Sequence, residues 1–332
     1  MPGFLPPHGH WEEFITGLAL PALSRLVARG KALSTPADHY EAWLCQRFSV
    51  SRQNDWPLAP VTLTTDGGNA ENAYWLRADP VHLQANRDQL IMADCGIFNI
   101  SEDEAISLTD TLNNHFRSDG FIFYPLQPTR WYLRFPSPID LHCTSRRETA
   151  GKNIDLLLPT GNDAQRFRSL LNEAQMLLFA HPLNEARENA GQVPINSVWF
   201  WGGGQAPRIE RPAIVTLWAK ENVARSLASL ASIPIANPTA DALLAQKNAQ
   251  GEHLIVLDEL EVPRQYDDVY NWQQALIQLE QNWFLPLLKA LQTGRIKQLT
   301  LTGFGDDRSV EIKITRTNLW KFWRNSRRLT DI

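Results

Sequence analysis

The sequence predicts an α/β protein with helices on both faces of a sheet, organised as two units, and three observations carry that expectation. Strand-type and helix-type patterns alternate from residue 195 to 314, the signature of βαβ units. The 332 residues exceed the roughly 150 of an ordinary domain, so a second core is expected. Hydrophobic residues at 43% and charged residues at 20% supply both a core and a wetted surface, which excludes a disordered chain.

Residues 11–30 place Phe14, Leu18, Leu20, Leu23, Leu26 and Val27 near helical spacing and end in Arg29 and Gly30, residue types that suit a helix C-terminus. A second helical pattern covers 37–48. Val61 to Thr64 reads as a short β-type run, followed by the turn cluster Asp66, Gly67, Gly68, Asn69, where a boundary is expected. Strands are expected at 74–76, 90–93, 121–124 and 131–135. Between them a helix starts after Ser101, which can cap free amides while Glu104 reaches back, and runs to about Phe116. A helix over 162–180 sets Phe167, Leu170, Leu171, Ala174, Leu177 and Leu178 on one face. The pattern then gives strands at 195–201, 213–218, 253–258, 298–302 and 310–314, with helices at 220–230 and 268–291.

The formal charge of −4 is spread along the chain, so nucleic acid is not an expected partner. The first ten residues show no basic region leading into an apolar stretch, and no run reaches about 18 apolar residues; neither export nor membrane spanning is expected. Cys45, Cys95 and Cys143 lack the paired spacing of a zinc site or disulfide framework and read as reduced thiols of a cytoplasmic protein. Trp is abundant, at 12 residues, which implies thick aromatic packing or a lined pocket.

Two segments could carry chemistry. Arg77, Asp79 and His82 stand where a strand enters a turn, with Asn86, Arg87 and Asp88 close behind; Arg and His there can meet an anionic oxygen, Asp orienting the guanidinium, or form a surface ion pair. The second segment runs from His181 through Asn184, Arg187 and Asn196 to Trp199, Trp201, Gly202, Gly203 and Gly204. Three glycines ending a strand leave amides bare for a phosphate or carboxylate, or simply make a turn, and neither nucleotide-binding glycine fingerprint is present.

Taken in order, Arg77, Ser101 to Glu104, His181, Pro182, Asn184, Arg187, Asn196, Trp199, Trp201, Gly202 and Gly204 resemble the archaeal-type 2,3-bisphosphoglycerate-independent phosphoglycerate mutases. The chain is more similar still to a proteobacterial RpfE-like regulatory family, an offshoot of those enzymes. The resemblance implies an alkaline-phosphatase-like core sheet built from 1–65 and 205–332, carrying an inserted, smaller α/β lobe over 66–204. In the lobe, Arg77, Asp79, His82, Asn184, Arg187, Asn196, Trp201 and Gly202 to Gly204 are then the ligand-binding candidates, for a small phosphorylated or carboxylated metabolite.

The resemblance also implies what a working enzyme needs: an early Asp-Gly ligand, a Ser nucleophile, an Asp-x-x-x-His pattern and an Asp-His pair around two metal ions. No Asp precedes Leu20, and the only histidine beyond His181 is His253, at the start of a strand. The corresponding places read Asp258, Glu259, Leu260, Glu261, Val262, Pro263, Arg264 and Gly305, Asp306, Asp307. No catalytic residue and no cofactor is therefore expected; the alternative is an active mutase using Mg or Mn on Asp258, Glu259, Asp306 and Asp307. The preferred expectation is a catalytically degenerate, regulatory or small-anion-binding protein. A third reading takes Arg316, Trp320, Lys321, Phe322, Trp323, Arg324, Arg327 and Arg328 as a basic, aromatic surface for an acidic protein partner or for nucleic acid, as an interaction adaptor.

Overall fold

The computed structural model describes residues 1–7, 10–36, 39–86, 89–245, 251–306 and 308–320. It is mixed α/β, with strands β1 (Lys31–Pro36), β2 (Tyr74–Asn86), β3 (Gln89–Ala93), β4 (Phe123–Gln127), β5 (Arg130–Phe135), β6 (Ser197–Gly204), β7 (Ile214–Trp218), β8 (Ile235–Ala236), β9 (Glu252–Ile255), β10 (Gln298–Phe304) and β11 (Arg308–Thr315). Two compact units form, one from residues 1–44, 211–228 and 232 onward, the other from 45–210 and 229–231. Residues 45–65, grouped in the sequence with the outer segments, lie in the second unit because the helix Leu58–Thr65 packs on β2 and β6. Among the described residues no helix is long and apolar enough to cross a membrane.

The first unit holds an antiparallel sheet β1-β11-β10 and a parallel one, β8-β7-β9. Alternation drives the antiparallel sheet: Leu299 and Leu301 of β10 and Val310, Ile312 and Ile314 of β11 are buried, at the period of two that puts one strand face on a core. The helix Asn222–Leu230 crosses over from β7 to β8, as the alternating pattern predicts. The single helix expected over 11–30 is two, Trp11–Ile15 and Pro21–Arg29, since Gly17 takes φ +79° between them and Pro21 sits at a helix start, where its missing N–H costs nothing. The expected helix over 268–291 contains a π-turn at Glu280–Phe284, just before Pro286, which has no N–H to continue the ladder. That turn aims Glu280 at the start of the helix Pro21–Arg29, where its carboxylate accepts from Ala22 N at 2.6 Å and Leu23 N at 2.9 Å.

The second unit is one antiparallel sheet ordered β3-β2-β5-β4, with β6 also paired to β2. The helices Glu102–Phe116 and Ala164–Phe179 pack on it through Leu108, Leu112, Phe116, Phe167, Leu170 and Leu178. Each such fully buried side chain contributes about 1.5–3 kcal/mol of transfer free energy. The capping box is formed: Glu104 N donates to Ser101 Oγ at 3.2 Å and Ser101 N to Glu104 Oε2 at 2.7 Å. Three expectations are corrected. Val61 to Thr64 is helical, part of Leu58–Thr65, whose residues Leu58 to Leu63 are buried all round, so the apolar run carries no helical periodicity. Strand β2 extends to Asn86, and β6 ends on the three glycines, as expected. A polar helix, Pro182–Asn189, follows His181.

Candidate functional site

Arg77 and Asp79 are two apart on β2 and so share one face of the strand. Arg77 Nε donates to Asp79 Oδ1 and Nη2 to Asp79 Oδ2, both at 2.8 Å, and Nη1 donates to Thr62 Oγ1 at 3.0 Å. The guanidinium carbon lies 5.0 Å from the ring centroids of both Tyr132 and Trp201, and the Trp201 indole N–H donates to Asp79 Oδ2 at 2.8 Å. Burial is nearly complete, with 2% of Arg77 and 1% of Asp79 exposed. Such a pair survives burial because hydrogen bonds satisfy its remaining polar atoms and the aromatic faces attract the cation.

The pair sits in the middle of a longer chain of charges. On one side the Tyr132 hydroxyl lies 3.0 Å from Thr62 Oγ1 and 2.5 Å from Asp66 Oδ2, and Asp66 accepts from Arg130 Nε and Nη2 at 2.6 and 2.7 Å. Burial pushes the Tyr132 phenol up, opposed by the Arg77 guanidinium and reinforced by the Asp66 carboxylate. On the other side Arg146 Nε is 3.6 Å from Asp79 Oδ2, while Nη1 donates to Asp94 and, at 3.1 Å, to Cys95 Sγ. Three arginines and three aspartates thus alternate through the interior, anchored on β2, β5, β6, the helix Leu58–Thr65 and the short helix Arg146–Thr149.

Of the remaining sequence-predicted residues, His82 and Asn196 lie along the far half of β2, while Asn184 and Arg187 stand on the helix Pro182–Asn189. The Asn196 amide accepts from Leu83 N at 2.7 Å and donates to Leu83 O at 2.9 Å, standing in for a paired strand. Asn184 does the same for Ile195, at 2.7 and 2.8 Å, and also donates to Leu178 O at 2.7 Å. Arg187 Nε donates to Val193 O at 2.9 Å, Nη1 to Glu104 Oε1 at 2.8 Å and Nη2 to Asn99 O at 2.8 Å. The Glu104 carboxyl is held below its ordinary value: burial raises it, but the Ser101 amide and Arg187 outweigh that. His82 Nδ1 is 2.9 Å from Pro194 O, and burial pushes its imidazole down. His181 caps the helix after it, accepting from Leu183 N at 3.1 Å. Arg87 and Asp88 lie outside the described residues.

Each nitrogen of both guanidinium groups therefore donates to a protein oxygen, and Arg77 and Arg187 belong to separate clusters. The glycines are also enclosed. A Cβ on Gly203 would stand 2.4 Å from the Tyr74 hydroxyl oxygen, one on Gly204 2.5 Å from Pro57 Cβ, and Gly202, at φ +70°, faces Leu58. Their bare α-carbons admit the protein's own side chains. An open groove of about 400 Å³ lies elsewhere, lined by Glu71, Asn72, Ala73, Arg134 and Pro136, with Arg134 Nη2 3.5 Å from Glu71. None of the sequence-predicted residues lines it. Thr62, Asp66, Arg130, Tyr132 and Arg146, which bind the network together, have no local sequence signal beyond the turn propensity of Asp66.

In the first unit Asp258 and Glu259 follow β9, at the carboxyl edge of the parallel sheet. Burial raises the Glu259 carboxyl, the adjacent Asp258 adds to the rise, and Lys220 opposes it. Asp306 follows β10 and accepts from Arg264 Nη2; the same guanidinium donates from Nε to Leu5 O at 3.2 Å and lies 3.6 Å from Asp267. Arg264 is 8% exposed. A divalent cation needs converging carboxylates with free lone pairs, and a guanidinium on Asp306 opposes it. Among the described residues no group of three His, Cys, Asp or Glu is placed to hold a metal ion. Asp307 lies outside the described residues. His253 is 3.4 Å from the Trp218 indole nitrogen. Of the C-terminal basic, aromatic positions, Arg316 and Trp320 are described, Trp320 being 70% exposed, and 321–328 lie outside the described residues.

Residues 69–184 match the family described as 2,3-bisphosphoglycerate-independent phosphoglycerate mutase. A relative carrying that name in Methanosarcina mazei is 31% identical over 220 residues, 63% of this chain and 54% of the relative. A probable 2,3-bisphosphoglycerate-independent phosphoglycerate mutase of Geobacter sulfurreducens is 31% identical over 154 residues, 46% of this chain and 38% of the relative. The chain thus spans about half, or less, of the length of these curated relatives. The solved cofactor-independent phosphoglycerate mutase of Thermoplasma acidophilum aligns over 100% of this chain and 92% of its own, at 14% identity and a TM-score of 0.47. Through the segment that builds β2 to the helix Ala164–Phe179, this chain is related to the cofactor-independent phosphoglycerate mutases.

Proposed function

We propose that this chain is a non-catalytic relative of those mutases that works as a regulatory or small-anion-binding protein, in the manner of the RpfE-like family it resembles. The observation that supports this reading is the Arg264 guanidinium on Asp306. It places a fixed positive charge on one of the few carboxylates available to a metal at the strand ends, where phosphoryl transfer would require two cations. The related lobe supports the non-catalytic, regulatory side of the reading, since its Arg77, Arg187, Asn184 and Asn196 side chains are committed to internal partners.

Mutase and phosphatase assays with added Mg or Mn, run beside metal analysis and calorimetry with 3-phosphoglycerate, test the proposal. Turnover at background, with no stoichiometric metal, is the expected result. Turnover that depends on Mn or Mg and is lost in Asp258→Asn overturns it and favours an active mutase with a carboxylate-only site.

A further inference from the structure

Residues 53–58 lie across the glycine end of β6. Gln53 Nε2 donates to Gln205 O, and Gln53 Oε1 accepts from Gln205 N, both at 2.9 Å. Pro57 and Leu58 fill the spaces that Cβ atoms on Gly204 and Gly202 would need. A second row of bonds ties the same segment to residues 139–143. Asn54 Nδ2 donates to Ile139 O at 3.2 Å, Asn54 O lies 3.3 Å from His142 Nδ1, and Asp55 Oδ2 accepts from Cys143 N at 2.9 Å, with the thiol also hydrogen-bonded to Asp55. Two buried groups in this seam stand out. Asp55 has no cation within ion-pair distance among the described residues, and the Tyr74 hydroxyl, packed against Gly203, has no hydrogen-bond partner there.

We propose that residues 53–58 are a proton-responsive strap over β6, tightest when the Asp55 carboxyl carries its proton and slackened when it ionises. An ionised, buried carboxylate without a counter-cation is costly, and opening the seam returns it to water. The groups facing Asp55 are Arg52 on its own segment, His142 and Cys143 on the opposite loop, Glu148 on the helix Arg146–Thr149 and Tyr74 on β2, while Asp140 and Asp163 face Tyr74. Burial pushes the carboxyl from 3.8 up to about 6, opposed by the Cys143 amide, His142 and Arg52 and reinforced by Glu148. The sign follows from the raised value. An acid that ionises more readily when the strap is open leaves the closed form at full strength below 3.8, weakens it as pH rises to about 6, and has no further effect above.

Hydrogen exchange at the Gln205 and Cys143 amides of the full-length protein between pH 4 and 7.5, corrected for intrinsic rates, reads the strap directly. Protection is expected to fall by roughly a hundredfold across the window and then level off. Asp55→Asn should remove the fall, and His142→Gln should keep it. A flat wild-type profile, a fall that persists in Asp55→Asn, or one abolished by His142→Gln overturns the proposal. The wild-type and His142→Gln profiles decide it even if Asp55→Asn does not fold.

Discussion

Replacing Asp79 by Ala leaves the buried Arg77 guanidinium without its bidentate partner and removes the acceptor of the Trp201 indole. Breaking one side of a buried pair strands a charge, and the expected loss is about 3–5 kcal/mol. Asp79→Asn keeps the volume and one acceptor oxygen but turns an amide toward the guanidinium, so its loss should be smaller, about 2 kcal/mol. The informative variant is the double one, Arg77→Met with Asp79→Leu. It removes both charges while conserving most of the volume, and should recover all but about 1–2 kcal/mol of the Asp79→Ala loss. Urea unfolding followed by tryptophan fluorescence and by circular dichroism measures each step. An Asp79→Ala variant within about 1 kcal/mol of wild type, or a double variant as unstable as the single, would refute a purely architectural role for the pair.

Two other substitutions test the packing. Glu280→Ala uncovers the buried amides of Ala22 and Leu23 and should cost about 3 kcal/mol or more, with Glu280→Gln intermediate; both appear as lost exchange protection at those amides, and unchanged protection would show that the cap is dispensable. Gly203→Ala pushes a methyl to 2.4 Å from the Tyr74 oxygen and should cost about 1–3 kcal/mol, measured as a shift in unfolding midpoint; removing that oxygen with Tyr74→Phe should recover much of the loss, and no recovery would place the strain elsewhere.

Legibility in the sequence followed the range of the interaction. The Ser101 and Glu104 capping box, the apolar face of Ala164–Phe179 and the alternation of β10 and β11 are written within a few neighbouring residues, and all were readable. The run Val61 to Thr64 misled because β-branched residues in a helix buried all round give no 3.6-residue period. The helix Pro182–Asn189 has a cap and first-turn pair in His181 and Pro182, but its interior is too short and polar to show an apolar face in the sequence. Arg77, Asn184, Arg187 and Asn196 offer donors and acceptors that the sequence makes visible, but a sequence cannot say whether an amide meets a ligand or a backbone 11 to 113 residues away. The glycines of β6 show the same limit: the absence of a side chain is legible, the identity of the neighbour that needs the room is not.

The alternating arginines and aspartates inside the second unit constrain how such a chain can drift. Losing one buried member leaves its neighbour's charge without a partner, so changes at these positions are expected to be tolerated best in compensating pairs. Arg77 is the one member of this network that the sequence motif contains, and its contacts are part of how the lobe is assembled.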